Sequence, residues 1–189
     1  SLDLTPRRDH QLSMLSYYLY RILGAIVPKL PPRFGYWLFG QLGVLASLLA
    51  RGARSAVEDN MRHVLGSAVD PEHLRHVVRS VFINQARNYY DLFRVPSIPD
   101  AQIKELVTIV GQEHLEAALA EGRGAVLVSI HFGNMDIVAQ AAVIYSYPIV
   151  IVAEHLKPDI LYRYVCSLRA SKGITIIAAD SFLKPIFRA

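Results

Sequence analysis

A chain of 189 residues is long enough for one domain, or for one domain with a helical extension. Its formal net charge of +4 is too small to favour nucleic acid as a partner, but it suits an anionic membrane surface or anionic substrates. Because Cys166 is the only cysteine, an intrachain disulfide and a cysteine-rich structural zinc site are both excluded.

The first part of the chain predicts two apolar helices. One runs from His10 to about Val27, carries a band of tyrosines, and ends at prolines that cannot continue a helix. The second runs from about Arg33 to Leu49. The uncharged stretch 34–50 is at the lower limit for crossing a bilayer, so we favour a buried or membrane-surface helix. Packing within a helical subdomain fits the same pattern equally well.

Two further helices complete a helical region. Ser55–Leu65 is closed by Gly66, and the triplet at 70–72 (Asp-Pro-Glu) is a strong start signal for a helix that ends before Pro96. The polar residues of this last helix are interpreted as a solvated face: Asn84, Arg87, Asn88 and Asp91. We therefore predict that residues 1–95 form a helical, membrane-associating region.

The second part of the chain alternates helices with short apolar runs. After a helix at 101–106, a possible strand at 107–110 and a helix at 112–120, the pattern predicts strands at 125–130, 149–153 and 174–178, with helices at 135–145 and 158–170 between them. Such alternation is typical of a parallel sheet with crossover helices. The predicted class is α/β: a helical N-terminal region followed, over residues 96–189, by a mostly parallel sheet.

A histidine and an aspartate flank the turn between the first of these strands and its helix. His131 would lie at the carboxyl end of the strand, where open α/β sheets place their ligands. Gly133 permits a sharp bend, Asn134 can cap the helix, and Asp136 would lie in its first turn. A carboxylate can accept a proton from one imidazole nitrogen and leave the other as a base. The alternative is that both residues have structural roles, with the aspartate favoured at the start of the helix by the helix dipole.

The sequence His131-Phe-Gly-Asn-Met-Asp136 resembles the H-x4-D motif of glycerolipid and lysophospholipid acyltransferases. Its flanking segments, GRGAVLVSIHFGNMD, PIVIVAEHLKP and LYRYVCSLRASKG, are similar to the bacterial lipid A late acyltransferase branch and, within it, to the group of actinobacterial phosphatidylinositol mannoside acyltransferases. The resemblance implies that His131 is a general base, oriented by Asp136. The base would deprotonate a glycolipid or phospholipid hydroxyl that attacks the thioester of acyl-CoA or acyl carrier protein.

Other residues are candidates for substrate binding. Arg169 matches by position a family arginine that contacts an anionic part of donor or acceptor, although a cation in the last turn of a helix also complements the dipole. Gly133 and Asn134 shape a helix N-terminus that could bind an oxyanion or phosphate. Glu154 and Lys157, after a strand end, are acceptor-site candidates, whereas the adjacent His155 is interpreted as solvated. No metal and no cofactor beyond the acyl donor is expected.

The resemblance also sets expectations for partners. Members of the family continue well beyond the length of this chain, so residues 96–189 are expected to be the first half of the acyltransferase domain, with the missing C-terminal half as a partner. The expected location is peripheral, on the cytoplasmic face of the bacterial cell membrane. The alternative is a non-catalytic module that binds lipids or acyl chains at a membrane.

Overall fold

The computed structural model describes residues 5–66, 68–130 and 132–180, with side chains from Met14 onward. The chain divides into two compact units, Ser1–Arg94 and Val95–Ala189. The first unit contains four helices and the second contains shorter helices with a small sheet.

The first unit is helical, as predicted. Its helices are α1 (Thr5–Ile26), α2 (Pro32–Leu49), α3 (Arg51–Leu65) and α4 (Pro71–Arg94). The closest crossing is that of α2 with α4, because α2 presents glycine where the helices meet. A Cβ added at Gly43 would fall 2.6 Å from the Cα of Ile83, so only glycine allows this approach. The buried core includes Val27, Leu74, Tyr90 and Phe93.

The predicted solvated face of α4 is wrong at Asp91. This residue is only 6% exposed, and its carboxylate accepts a hydrogen bond from the Tyr36 hydroxyl at 2.5 Å. Burial of Tyr36, and next its bond to Asp91, raise the pKa of that phenol. The polar residues near the end of α4 therefore help to fix α2 against it, because a buried carboxylate must find a donor.

Large apolar side chains remain exposed on α1 and α2. They include Leu15, Tyr18, Leu19, Ile22, Phe34, Trp37, Leu45, Leu48 and Leu49. In the described part of the chain, no helix is both long and apolar enough to cross a membrane. An apolar surface of this extent, on helices that each also contact α4, is typical of an interaction surface.

The second unit contains α5 (Asp100–Leu106), α6 (Gln112–Ala120), α7 (Met135–Ile144), β1 (Val150–Ala153), α8 (Asp159–Arg169) and β2 (Thr175–Ala178). β1 and β2 pair in parallel, with Val150 opposite Thr175 and Ala153 opposite Ala178, and α8 is the crossover between them. A core of Val95, Ile98, Ile103 and Ala141 joins α5 to α7. The predicted α/β class with a parallel sheet is confirmed.

Two predicted strands are wrong. Residues 125–130 form no ladder with β1 or β2, and their side chains are exposed, Val126 and Val128 each by 93%. A strand is stabilised by hydrogen bonds to a neighbour, so an apolar run without one remains irregular. Residues 107–110 are also not a strand, since Val107 packs into the core at the end of α5 and Gly111 begins the next helix.

Candidate functional site

The predicted turn before α7 is confirmed where the structure describes it. Gly133 has a φ of +82°, a backbone conformation that glycine adopts without strain. The Asn134 side chain accepts a hydrogen bond from the Ile137 amide at 3.2 Å and so caps α7. Asp136 follows in the first helical turn. His131 lies outside the described residues, and its role as a base stays a prediction.

Asp136 forms an ion pair with Arg169. The guanidinium Nε of Arg169, in the last turn of α8, donates to Oδ1 of Asp136 at 2.8 Å. The two side chains are 38% and 23% exposed, so the pair is only partly screened by water. The structure thus brings together a residue predicted to be catalytic and one predicted to bind substrate. Because Nε makes this contact, the Nη groups of Arg169 can turn towards an anion.

Gln140 holds Arg169 at a second point. Its side-chain amide donates to the Arg169 carbonyl, one turn of α7 after Asp136. Gln140 is 1% exposed, and its Oε1 has no hydrogen-bond partner among the described residues. Asp136 and Gln140 are four residues apart and therefore share a face of the helix. The sequence prediction missed Gln140, although a polar side chain within an otherwise apolar helix, four residues after the motif aspartate, was a usable signal.

The residues after β1 lie at the carboxyl end of the sheet. Glu154 and Lys157 are exposed there, and neither takes part in the contacts of Asp136 or Arg169 described above. Their roles in binding an acceptor stay predictions.

His155, interpreted as solvated, is partly exposed and is also paired with two carboxylates. Its Nδ1 lies 2.9 Å from a carboxylate oxygen of Asp180, and its Nε2 lies 3.0 Å from one of Asp159. Its side chain is 34% exposed. The hydrogen bonds to Asp180, and next to Asp159, raise the pKa of His155 above its ordinary value. The imidazole of His155 therefore links the end of β1, the start of α8 and the residue two positions after β2.

The described part of the chain contains no group of three or more histidine, cysteine or acidic side chains arranged to hold a metal ion. His155 is an imidazole paired with the carboxylates of Asp159 and Asp180.

Comparison of the sequence with known families identifies the family of this chain. Residues 5–189 match the family described as bacterial lipid A biosynthesis acyltransferase, and the chain belongs to that family. The resemblance given by the H-x4-D segment and its flanks is thereby confirmed.

Two curated relatives show which members of the family this chain resembles. The chain is 32% identical over 151 residues to the phosphatidylinositol mannoside acyltransferase of Mycolicibacterium smegmatis. The aligned region covers 78% of this chain and 49% of the relative. It is 31% identical over 139 residues to the protein of the same name from Mycobacterium tuberculosis. That aligned region covers 72% of this chain and 43% of the relative. The chain thus spans about half the length of the curated relatives it matches.

Proposed function

We propose that the protein is a membrane-associated O-acyltransferase. It would move a fatty acyl chain from acyl-CoA or acyl carrier protein to a hydroxyl group of a glycolipid or phospholipid. Family membership supports the reaction class, and the relatives' names suggest the acceptor class. The structural observation that carries the proposal is the Asp136–Arg169 ion pair, because it ties the aspartate of the H-x4-D motif to a cation that suits an anionic substrate group.

The proposed reaction is direct transfer. His131 removes the proton from the acceptor hydroxyl as its oxygen attacks the thioester carbonyl carbon, a new C–O bond forms, and the C–S bond breaks. The proton leaves with the thiol. The N–H groups at the capped start of α7, near Gly133 and Asn134, would donate to the oxyanion or to a phosphate of the donor. Arg169 would bind an anionic part of either substrate.

Asp136 would serve two partners in this scheme. A carboxylate has about four acceptor positions, so an N–H of His131 and the Nε of Arg169 can both be accommodated. The interaction with His131 would select one imidazole tautomer and stabilise the imidazolium, as a buried aspartate does in other histidine-dependent acyl transfer.

The test is His131→Ala in the full-length protein, with thiol release and acylated product measured together. A positioned base contributes about 10²- to 10⁴-fold, so a loss in kcat/KM of that size is expected. His114→Ala is the matched control, because His114 is an exposed histidine on α6 in the same unit. A folded His131→Ala protein with the activity of the control would refute the proposal.

The alternative function is a non-catalytic lipid- or acyl-binding module at a membrane. The exposed apolar side chains of α1 and α2, Trp37 and Leu49 among them, favour lipid contact. Such a module would bind vesicles or acyl chains and leave acyl-CoA intact with every candidate acceptor. Acceptor-dependent thiol release that requires His131 would exclude it.

A further inference from the structure

A basic pocket lies within the first unit, between α2, α3 and α4. It has a volume of about 450 Å³, and four arginines line it together with one acid and one exposed leucine: Arg54, Arg62, Arg75, Arg79, Glu58 and Leu48. Four positive charges and one negative charge give this concave surface a net charge of +3. Its size lies within the range of pockets that hold small ligands, roughly 300–1,000 Å³.

Two of the pocket arginines, Arg75 and Arg79, lie on α4 and have no carboxylate partner among the described residues. Arg75 and Arg79 are four residues apart, so they project from the same side of the helix. They flank the floor formed by Leu74 and Val78, which are 1% and 4% exposed. Within the described ranges, no carboxylate lies within 4.0 Å of either guanidinium, whereas Arg62 pairs with Glu58 at 2.9 Å.

The arginines on α3 are already oriented. Arg54 donates to the Ser47 carbonyl at 3.3 Å, and the bond to Glu58 holds Arg62 on the facing side of the pocket. Guanidinium groups held in this way lose little further freedom when they bind an anion. The crossing of α2 and α4 at Gly43 fixes the helices that carry these groups.

We propose that this pocket binds a phosphate-bearing anion. Grouping four guanidinium groups in one concave surface costs free energy through their mutual repulsion, and a bound dianion removes that cost. Arginine matches phosphate because its planar fork can donate two parallel hydrogen bonds. All residues that line the pocket belong to the first unit, whereas Asp136 and Arg169 belong to the second.

The phosphate of a lipid headgroup is the source that the surface favours. Leu48 lines the pocket and is 60% exposed, and it continues into Leu45 and Leu49 on the same face of α2. An apolar surface that borders a basic pocket fits a ligand with acyl chains next to a phosphate, as in an anionic phospholipid. A free phosphate compound would use the guanidinium groups alone.

The experiment compares two double variants of the full-length protein. Arg75→Gln/Arg79→Gln removes the unpaired cations from the pocket, and Arg33→Gln/Arg51→Gln removes the same charge from exposed positions of the same unit outside it. Each protein is titrated with phosphatidylcholine vesicles, with vesicles that also contain phosphatidylglycerol, and with inorganic phosphate. Circular dichroism checks that each variant is folded.

We expect the pocket variant to bind phosphatidylglycerol vesicles about tenfold or more weakly than the control variant does, a difference beyond the general effect of losing two charges. Inorganic phosphate bound by the wild-type protein and lost only in the pocket variant, without a difference on vesicles, would instead assign the pocket to a soluble phosphate compound. Equal behaviour of the two variants towards both probes overturns the proposal, because only net charge would then matter.

Discussion

The Asp136–Arg169 ion pair makes a measurable prediction about stability. The perturbation is a double-mutant cycle with Asp136→Ala, Arg169→Ala and the double variant, which isolates the coupling between the two side chains. The Arg169 carbonyl belongs to the main chain, so its hydrogen bond from Gln140 survives each substitution. The cycle therefore reports on the side-chain pair and not on the second point of attachment.

The magnitude follows from distance and exposure. Two unit charges 4 Å apart attract by about 4 kcal/mol at an effective dielectric constant of 20, but measured exposed pairs contribute only about 0.2–1 kcal/mol because water screens them. The N–O distance is 2.8 Å, and the side chains are 38% and 23% exposed. Since hydrogen bonds to charged groups contribute about 1.5–3 kcal/mol, we expect a coupling of about 1–2 kcal/mol after screening.

Glu58 and Arg62 provide the matched control. They form the same kind of contact at 2.9 Å, but they are one turn apart on a single helix and are 40% (Glu58) and 47% (Arg62) exposed. Pairs of that kind contribute about 0.3–0.5 kcal/mol. The measurement is urea unfolding followed by circular dichroism for both cycles at neutral pH. If the coupling of Asp136 with Arg169 is no larger than that of the control, the pair does not hold α7 and α8 together.

Three further predictions follow from single sites. Gln140→Glu should lower the free energy of unfolding by about 3 kcal/mol at neutral pH, because a buried carboxylate cannot donate to the Arg169 carbonyl. This loss, measured by urea unfolding, should become smaller at acid pH as the introduced carboxyl group protonates. His155→Gln tests a raised histidine pKa: the stabilisation by the imidazolium is complete below the unfolded pKa of about 6.5 and is lost as the pH rises through the folded pKa. The difference in unfolding midpoint between wild type and this variant should therefore be large near pH 6 and vanish at clearly alkaline pH, whereas a pH-independent difference would contradict the pairing. Gly43→Ala should lower the free energy of unfolding by about 1–3 kcal/mol, because the added Cβ would clash with the backbone of α4. Gly52→Ala, in open space on α3, should raise the free energy of unfolding by about 0.5–1 kcal/mol in the same assay.

Local patterns predicted the helices and the two paired strands well. Asn134 before an apolar segment and the Asp70-Pro71 start signal act through neighbouring backbone groups, so the sequence alone carries that information. The sheet is where local reasoning failed. Residues 125–130 have the apolar, β-branched character of a strand, but a strand also requires a neighbouring strand, and periodicity does not supply one.

Contacts between distant segments were also beyond a reading of the sequence. Asp136 and Arg169 were both singled out, yet nothing in their 33-residue separation predicted an ion pair between them. The sequence predicts Asp91 in solvent, whereas its hydrogen bond from the distant Tyr36 helps to explain its burial. The sequence likewise does not predict the pairing of His155 with Asp180, because that carboxylate lies 25 residues further along the chain.

The pairing of Asp136 with Arg169 affects how strongly Asp136 would stabilise the protonated form of the proposed base. A guanidinium 2.8 Å from the carboxylate offsets much of its negative charge, so Asp136 would stabilise a neighbouring imidazolium less than an unpaired aspartate would. An anionic substrate group drawn to the Nη side of Arg169 would weaken that offset on binding. The strength of the interaction between Asp136 and the proposed base would then depend on whether the acceptor is in place.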